Sequence, residues 1–294
     1  MNFATDKLLK QFKALADPVR ARLVALCSVA ECSVSELTTV TGQSQPRISQ
    51  HLKQLCDVGL LERFKDGHFV YYRVRSSGED SAARRRLLAL LPDDEPQFDK
   101  DIKKLREIRA GGDIVAAETS DSDRLLHRAL LELTVARPLG DLIDIGCGQG
   151  RILKLLASRA HRAVGVDIDS DVRRLARAEL LLAGTPNTTL RQGDMVSLPF
   201  DDGEFDTVIL DDVLGDAKEP EAALLEAKRL VKAGGRVLLL AAVQNADVGE
   251  QRQQFADLAA SANLRLASPR SVPAKNPSWL LAVATSTDRV SAAA

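Results

Sequence analysis

The sequence of 294 residues predicts two domains of different fold class. The first is an α+β domain of short helices ending in a β-hairpin, and the second is an α/β domain with a mainly parallel sheet. At 45% hydrophobic residues the chain is long enough to bury two cores. Residues 1–75 show short helical segments and then two β-rich runs, whereas residues 139–285 alternate strand-like and helical segments.

The expected domains are residues 1–92 and residues 121–294, joined by a connector at residues 93–120. Clustered leucines predict a helix over residues 82–91, and Pro92 ends it. Within the connector, residues 98–109 predict a surface helix, and Gly111-Gly112 predicts a flexible joint.

Charge is divided unequally between these regions. Residues 1–92 contain 14 Lys and Arg against 9 Asp and Glu, a net charge of +5, and the remainder contains 26 against 32, a net charge of −6. A polyanionic ligand is therefore expected on the first domain. No apolar run approaches the length of a membrane span, and the first residues lack a secretion signal, so we expect a cytoplasmic protein without a membrane partner.

Three helix starts follow one another in the first domain. Asp17 precedes a proline, as helix caps commonly do, and Ser33 and Glu36 have capping-box spacing. The helix after Ser33 ends at Gly42, and Ser44 is placed to cap the next one. This order predicts a helix-turn-helix.

The second helix of this pair has one apolar face and one polar face. Ile48, Leu52 and Leu55 have the spacing of a buried stripe, which turns the polar residues outward. Arginine and glutamine suit base edges in the major groove, whereas serine and lysine suit phosphates. The candidate DNA-binding residues of this helix are Ser44, Gln45, Arg47, Ser49, Gln50, His51 and Lys53.

A hairpin follows this helix. Asp66-Gly67 separates two β-rich runs within residues 61–74 and predicts a type I′ turn. Such a hairpin would form the wing of a winged helix-turn-helix. Arg63, Lys65 and His68 are its candidate contacts with phosphate or the minor groove.

Three segments of the first domain resemble the ArsR family of winged-helix repressors: ALADPVR at 14–20, QPRISQHLKQL at 45–55 and GLL at 59–61. The resemblance covers about residues 5–90 and implies that a homodimer binds a double-stranded DNA operator. The first helix and the helix containing residues 87–91 would then form the two-fold interface. A winged helix that serves only protein contacts is the alternative.

The sequence departs from this family at the metal-sensing thiolates. The positions that the resemblance assigns to them hold Ser33 and Ser35, and Cys32 lies one place outside, so no metal site is expected. The four cysteines, of which Cys56 and Cys147 are the other two besides Cys27 and Cys32, form no CxxC pair and are expected to be thiols. A redox role for Cys27 and Cys32 is the alternative to packing as small apolar side chains.

The second domain begins with a strand that runs into the Gly-rich segment DIGCGQG at 144–150. The next strand ends at Asp167, where a carboxylate can bind ribose hydroxyls. A third strand precedes Asp194, a fourth spans residues 205–210, and a Gly-Gly turn at 234–235 precedes a fifth at 237–241. Residues 264–267 and 279–285 predict a final strand pair, the last strand antiparallel.

This series resembles the class I S-adenosylmethionine-dependent methyltransferases over about residues 125–285, and the fold expected is Rossmann-like. The resemblance implies that S-adenosylhomocysteine or S-adenosylmethionine binds at the carboxyl edge of the strands. Asp144 would orient the amino-acid end, Asp167 would bind the ribose, Asp194 and Met195 would bracket the adenine, and Asp211 would lie near the methionine moiety. Backbone of the glycine loop would approach the ligand, and the remaining candidate contacts are Gly146, Cys147, Gly148, Gly150 and Ile168. The alternative is a retained fold with an empty pocket.

An enzyme would also need to hold a methyl acceptor, and the sequence shows little for this purpose. The chain after the fourth strand has no Asn-Pro-Pro-Tyr-like motif, and no Pro-Cys nucleophile occurs. His127 and Asp211 are possible bases, but a structural histidine is the simpler interpretation, so no catalytic residue is assigned.

A DNA-binding domain joined to a ligand pocket without acceptor chemistry indicates a ligand-gated switch. The organisation resembles ArsR-type regulators fused to methyltransferase domains, including the S-adenosylhomocysteine-responsive repressors of methionine-cycle genes. The sequence therefore predicts a repressor that senses S-adenosylhomocysteine or S-adenosylmethionine. The alternative is an active small-molecule methyltransferase with an attached DNA-binding module.

Overall fold

A computed structural model describes residues 3–66, 69–75, 81–92, 95–110, 121–243 and 248–286. These residues form two compact units. Within the described ranges, no helix combines the length and apolar character that a bilayer crossing requires.

The first unit contains helices and a small antiparallel sheet whose strand order is β1-β3-β2. Its elements are α1 (Phe3–Leu15), α2 (Pro18–Val29), β1 (Cys32–Ser33), α3 (Val34–Thr41), α4 (Gln45–Asp57), β2 (Leu61–Asp66), β3 (Phe69–Val74), α5 (Ser81–Leu88) and α6 (Pro96–Ala110).

Local capping explains where these helices begin and end. The Asp17 carboxylate accepts a hydrogen bond from the Arg20 backbone N–H at 2.9 Å. At the start of α3, Ser33 and Glu36 form the predicted capping box, and Gly42 ends that helix in the left-handed conformation, with φ of 70°. The predicted order of helix, turn and helix is confirmed.

The apolar stripe of α4 is buried as predicted. Ile48, Leu52 and Leu55 are fully enclosed, and they pack in one core with Leu23 and Leu26 of α2. Burial of each such side chain contributes about 1.5–3 kcal/mol, so α4 is fixed in the unit by its inner face.

The hairpin pairs in a different register from the expected one. Asp66 is the last residue of β2, pairs with Phe69 and has a buried side chain, so it is a strand residue and not a turn residue. Gly67 and His68, and with them the predicted type I′ turn, lie outside the described residues.

Helix α6 corrects the expected surface helix in the connector. Its Leu105 is fully buried in the core of the first unit. Arg22 of α2 donates two hydrogen bonds, of 2.6 and 2.8 Å, to the buried Asp101 carboxylate. The sequence pattern missed this packing because the inward face of α6 carries charged residues that are buried as ion pairs. Helix α5 also ends earlier than predicted, at Leu88.

The second unit is a sheet wrapped by helices. Its elements are α7 (Asp121–Ala136), β4 (Asp141–Ile145), α8 (Arg151–Leu156) with a 3-10 turn at Ala157–Arg159, β5 (Arg162–Asp167), α9 (Ser170–Ala183), β6 (Thr188–Gln192), β7 (Phe205–Asp211), α10 (Pro220–Leu230), β8 (Val231–Ala242), α11 (Val248–Ser261), β9 (Leu264–Leu266), β10 (Arg270–Val272) and β11 (Trp279–Ser286).

The strand order is β10-β11-β8-β7-β4-β5-β6, with β9 also pairing with β11. Strands β4 to β8 are mutually parallel, and β11 is antiparallel to β8 as predicted. Strand β10 was not predicted. The order reverses at β4, which has β5 on one side and β7 on the other, and ligands of such sheets bind in the crevice at this switch point.

Candidate nucleic-acid interface and ligand site

The outer face of α4 presents polar side chains, as the sequence predicts. Gln45, Arg47, Ser49, Gln50 and Lys53 are all exposed. Ser44 is exposed and occupies the cap position, but its side chain makes no capping hydrogen bond. The face is therefore formed by hydrogen-bonding groups on a helix whose other side is fixed in the core.

His51 does not belong to this face. Its side chain is only 16% exposed, and its Nδ1 lies 4.0 Å from Oδ1 of Asp17. His51 is thus directed toward Asp17, the cap residue of α2. The structure therefore removes His51 from the exposed surface of α4.

The structure describes two of the three candidate residues of the hairpin. Arg63 and Lys65 are exposed on β2, on either side of Phe64, which stacks on Tyr71 with ring centroids 5.9 Å apart. Alternation along the strand places both cations on one face. The third candidate, His68, lies outside the described residues.

At the start of α3, Ser33 and Glu36 cap the helix. The Glu36 carboxylate accepts hydrogen bonds from the Ser33 backbone N–H at 2.7 Å and from its hydroxyl at 2.8 Å. The Ser33 and Ser35 hydroxyls are 3.1 Å apart. In the described part of the chain, no three potential metal ligands cluster together.

Two thiols lie beneath this cap. Cys27 and Cys32 are buried, and the neighbouring Cys32 thiol, together with burial, raises the pKa of Cys27 well above its usual value. A thiol reacts with oxidants as the thiolate, so this environment lowers the reactivity of Cys27.

The glycine loop after β4 combines close packing with open space. Gly146, Gly148 and Gly150 all have positive φ, between 53° and 78°. A Cβ on Gly146 would meet Cγ1 of Val213 at 2.5 Å, whereas a Cβ on Gly148 would have no neighbour within 4 Å. The loop backbone is therefore free to approach a ligand at Gly148.

The ends of β5 and β6 supply the next candidates. Asp167 accepts hydrogen bonds from the backbone N–H of Gly148 and of Asp169, both at 2.9 Å. Ile168 is 67% exposed, and Asp194 is exposed beside the partly buried Met195. The structure thus brings these predicted residues to the same sheet edge as the glycine loop.

Asp144 is the most unusual group at this edge. Its side chain is completely buried, and neither carboxylate oxygen has a hydrogen-bond partner. Burial raises the pKa of Asp144 well above its usual value, and repulsion from Asp211 adds to the effect. An unpaired buried carboxyl group costs stability, which a polar ligand group can recover. The residues present therefore fit an amino-acid-bearing ligand. Cys147, which follows in the loop, is buried, and burial raises its pKa well above the usual thiol value.

Arg151 was missed by the sequence predictions. One of its terminal nitrogens lies 2.8 Å from both Asp211 oxygens, and the other donates to Asp123 at 2.9 Å. Its guanidinium carbon lies 4.5 Å from the centroid of the Trp279 ring. The one sequence signal for Arg151 is its position directly after the glycine loop, since the residues that it contacts lie far from it in sequence.

His127 is not arranged as a general base. Its Nε2 is buried without a hydrogen-bond partner, and burial, assisted by the Arg151 charge, lowers its pKa. Among the hydrogen bonds of the described residues, none joins His127 to Asp211.

Two family models match the chain. One, described as a bacterial regulatory protein of the arsR family, matches residues 17–63, and the other, a methyltransferase domain, matches residues 143–239. Their positions coincide with the helix-turn-helix and with the sheet that carries the glycine loop.

Curated relatives match part of the chain. A 37.1 kDa protein of a Streptomyces fradiae transposon is 33% identical over 124 residues, which cover 41% of this chain and 35% of the relative. The ubiquinone/menaquinone biosynthesis C-methyltransferase UbiE of Burkholderia mallei is 36% identical over 122 residues, 39% of this chain and 50% of the relative. The chain therefore spans half or less of these proteins. A SAM-dependent methyltransferase structure from Aquifex aeolicus is 18% identical, with a TM-score of 0.48, covering 62% of this chain and 95% of that one.

The helix-turn-helix with its exposed polar face matches the first family model, and the sheet, glycine loop and strand-end carboxylates match the second. Residues 17–63, which contain the helix-turn-helix, thus match the arsR family, and residues 143–239, which lie in the Rossmann-like sheet, match a methyltransferase domain.

Proposed function

We propose that the chain is a cytoplasmic transcription repressor whose methyltransferase domain binds S-adenosylhomocysteine or S-adenosylmethionine as an effector, and that it controls methionine-cycle genes. The observation that carries the proposal is the unpartnered, buried Asp144 carboxyl group beside the open loop at Gly148. It occurs in a chain that also contains a helix-turn-helix matching the arsR family model, which supports a role in DNA binding.

The ligand would lie along the edge formed by the ends of β4, β5 and β6. The Gly148 backbone would approach the ligand, Asp167 would bind the ribose hydroxyls, and Asp144 would bind the amino-acid end. The exposed Ile168 supports this placement because a large apolar side chain in solvent gains by covering a planar base. Asp194 and Met195 would bracket the adenine.

DNA would contact the exposed face of α4 and the hairpin. Arg47 and Gln50 would bind base edges, since both side chains can form paired hydrogen bonds there. Lys53, Arg63 and Lys65 would neutralise phosphates, which predicts binding that weakens as salt rises.

The first unit also supports a homodimer. Leu8, Leu9 and Phe12 of α1 are exposed, whereas Gln11 and Ala14 of the same helix face inward. A cluster of large apolar side chains on a protein surface commonly marks a site of contact with another protein. We propose that a second copy of the chain covers this face.

The arrangement around Asp211 favours an effector over a substrate. Both Asp211 oxygens are bound by Arg151, and the His127 Nε2 is enclosed. Neither of these possible bases is therefore arranged to accept a proton from a methyl acceptor. The second candidate function, a small-molecule methyltransferase with a DNA-binding module, is supported by the partial similarity to UbiE.

The proposal is tested by measuring DNA affinity with and without the effector. Duplexes selected by the purified full-length chain from a random pool would be titrated by fluorescence anisotropy, without ligand and with saturating S-adenosylhomocysteine. We expect the ligand to weaken DNA binding at least about fivefold, the lower range of allosteric couplings. Equal affinities in the two titrations would refute the effector role.

The enzyme alternative needs its own assay. Release of S-adenosylhomocysteine from S-adenosylmethionine would be followed with thiol, quinone and arsenite acceptors. Multiple turnover with any of them would establish methyl transfer, and the Gly148→Ala variant serves as the control that blocks the site.

A further inference from the structure

We propose that Arg151 selects the charge of the ligand, so that the site binds an adenosyl thioether more tightly than the corresponding sulfonium cation. This inference rests on the proposed binding of an adenosyl ligand. It names the residue that would separate S-adenosylhomocysteine, whose sulfur is neutral, from S-adenosylmethionine, whose sulfur is positive.

The position of Arg151 follows from the sheet. The crevice lies at the carboxyl end of β4, between β5 and β7. Asp167, the carboxylate suited to ribose, ends β5, so the remainder of the ligand extends toward β7. Asp211 ends β7 and is bound by Arg151. Arg151 therefore lies at the end of the crevice opposite the nucleoside.

Arg151 is already paired with Asp211, the carboxylate that could otherwise balance the charge of a sulfonium at this end of the crevice. Its terminal nitrogen lies 2.8 Å from each oxygen of Asp211, and the Asp211 side chain is only 12% exposed. A second carboxylate, Asp123, holds the other terminal nitrogen at 2.9 Å. Charge pairs that are partly shielded from water interact more strongly than exposed ones. A positive sulfur nearby would therefore have to compete with Arg151 for the Asp211 carboxylate.

Arg151 also covers the aromatic surface of this region. A sulfonium, like other cations, is attracted to the face of a tryptophan ring. The Arg151 guanidinium carbon lies 4.5 Å from the Trp279 centroid and takes that place. One side chain therefore pairs with both nearby carboxylates and covers the ring face, so that its removal would leave two carboxylates and an open ring, all of which favour a positive ligand.

The test compares affinities for the two ligands in the full-length chain and its variants. Binding is measured by calorimetry and by the fluorescence of Trp279, which is the single tryptophan of the chain. The quantity is the ratio of the Kd for S-adenosylmethionine to the Kd for S-adenosylhomocysteine. We expect a ratio of about ten or more in the natural chain, since the Arg151 charge repels the sulfonium and does not repel the neutral thioether.

Two substitutions should move this ratio in opposite directions. Arg151→Gln removes the positive charge and should lower the ratio about tenfold, whereas Asp211→Asn removes a negative charge and should raise it. Arg151→Lys keeps the charge and should keep the preference. Lys154→Gln, one turn along the same helix and paired with Glu179 at 2.7 Å, is the matched control and should leave the ratio within about twofold.

The outcomes separate this inference from the proposed function. If the natural chain binds neither ligand, the proposed function fails. If it binds both and neither Arg151→Gln nor Asp211→Asn changes the ratio more than the control does, charge selection is refuted while ligand binding stands. If Arg151→Gln does not fold, the direction of the change in Asp211→Asn decides: a raised ratio supports the inference, and an unchanged or lowered ratio overturns it.

Discussion

The buried Arg109 provides a sharp test of how α6 is held in the first unit. Its Nε donates to the Glu36 carboxylate at 2.8 Å, and a terminal nitrogen donates to the Glu31 carbonyl at 2.6 Å. The Arg109 side chain is 5% exposed. Arg109→Met keeps an unbranched apolar stem in the same space but removes the charge and these hydrogen bonds.

The cost follows from what remains behind. Burial raises the pKa of Glu36, but the Arg109 charge and the hydrogen bonds outweigh it and hold the pKa below its usual value. Removing one partner of a buried ion pair costs about 3–5 kcal/mol. Glu36 keeps its two hydrogen bonds from Ser33 and is 19% exposed, which places the expected loss near the lower end, at about 3 kcal/mol.

The chain contains natural probes for each unit. Both of its tyrosines, Tyr71 and Tyr72, lie in β3, and its single tryptophan, Trp279, lies in β11. Urea unfolding followed by the fluorine signals of 3-fluorotyrosine therefore reports on the first unit, and tryptophan fluorescence reports on the second. We expect Arg109→Met to lower the midpoint of the tyrosine transition and to leave the tryptophan transition in place.

Arg106→Met, an exposed arginine on the same helix, is the matched control and should change stability by less than about 0.5 kcal/mol. Adding Glu36→Gln to Arg109→Met should restore part of the loss, because a neutral amide is cheaper to leave unpaired than a carboxylate. A loss below about 1 kcal/mol in Arg109→Met, equal to that of the control, would show that the ion pair does not anchor α6.

Three further predictions concern the glycine loop, the orphan carboxyl group and α1. In Gly148→Ala the added Cβ meets no neighbouring atom, but alanine is placed at φ of 53°, so we expect a stability loss of about 1–2 kcal/mol. Because the Cβ would fill the space that the ligand needs, the affinity for S-adenosylhomocysteine measured by calorimetry should fall at least about tenfold. Undiminished affinity would show that the ligand does not approach this backbone. The folded-state pKa of Asp144 is raised by burial above the unfolded value, so the folded chain retains a proton that the unfolded chain releases, and stability falls as pH rises from the unfolded pKa to the folded one. Asp144→Asn should flatten this slope in urea unfolding across that pH range, and an unchanged slope would contradict the assignment. Phe12→Glu on the exposed face of α1 should yield a monomer by light scattering whereas Lys10→Glu stays dimeric, and a dimeric Phe12→Glu protein would reject this face as the interface.

Local signals explain what the sequence could predict. Several features depend only on residues close together in sequence: the caps at Asp17 and Ser33, the left-handed Gly42 and the apolar stripe of α4. A short segment of sequence is therefore enough to predict each of them. The glycine loop and the strand-end carboxylates were predictable for the same reason, because each follows directly on a buried strand.

The features that were missed depend on contacts between distant segments. Helix α6 has a polar sequence because Asp101 and Arg109 are buried by pairing with Arg22 and Glu36, which only folding brings close. Hydrophobic periodicity counts such residues as exposed. The surroundings of Arg151 were missed likewise, since Asp123 and Trp279 lie on opposite sides of it in sequence, 28 residues before and far beyond.

The packing of α6 also shows that a fragment carrying the helix-turn-helix needs more of the chain than residues 1–92. A fragment cut at Pro92, the boundary that composition indicates, would remove the partners that α6 supplies to Arg22 and Glu36 and would uncover the surface that Leu105 fills. A fragment that ends after Ala110 retains all three contacts. Exchange of the C-terminal domain for another sensor should therefore preserve more of the DNA affinity when the junction follows residue 110 than when it is placed at residue 92.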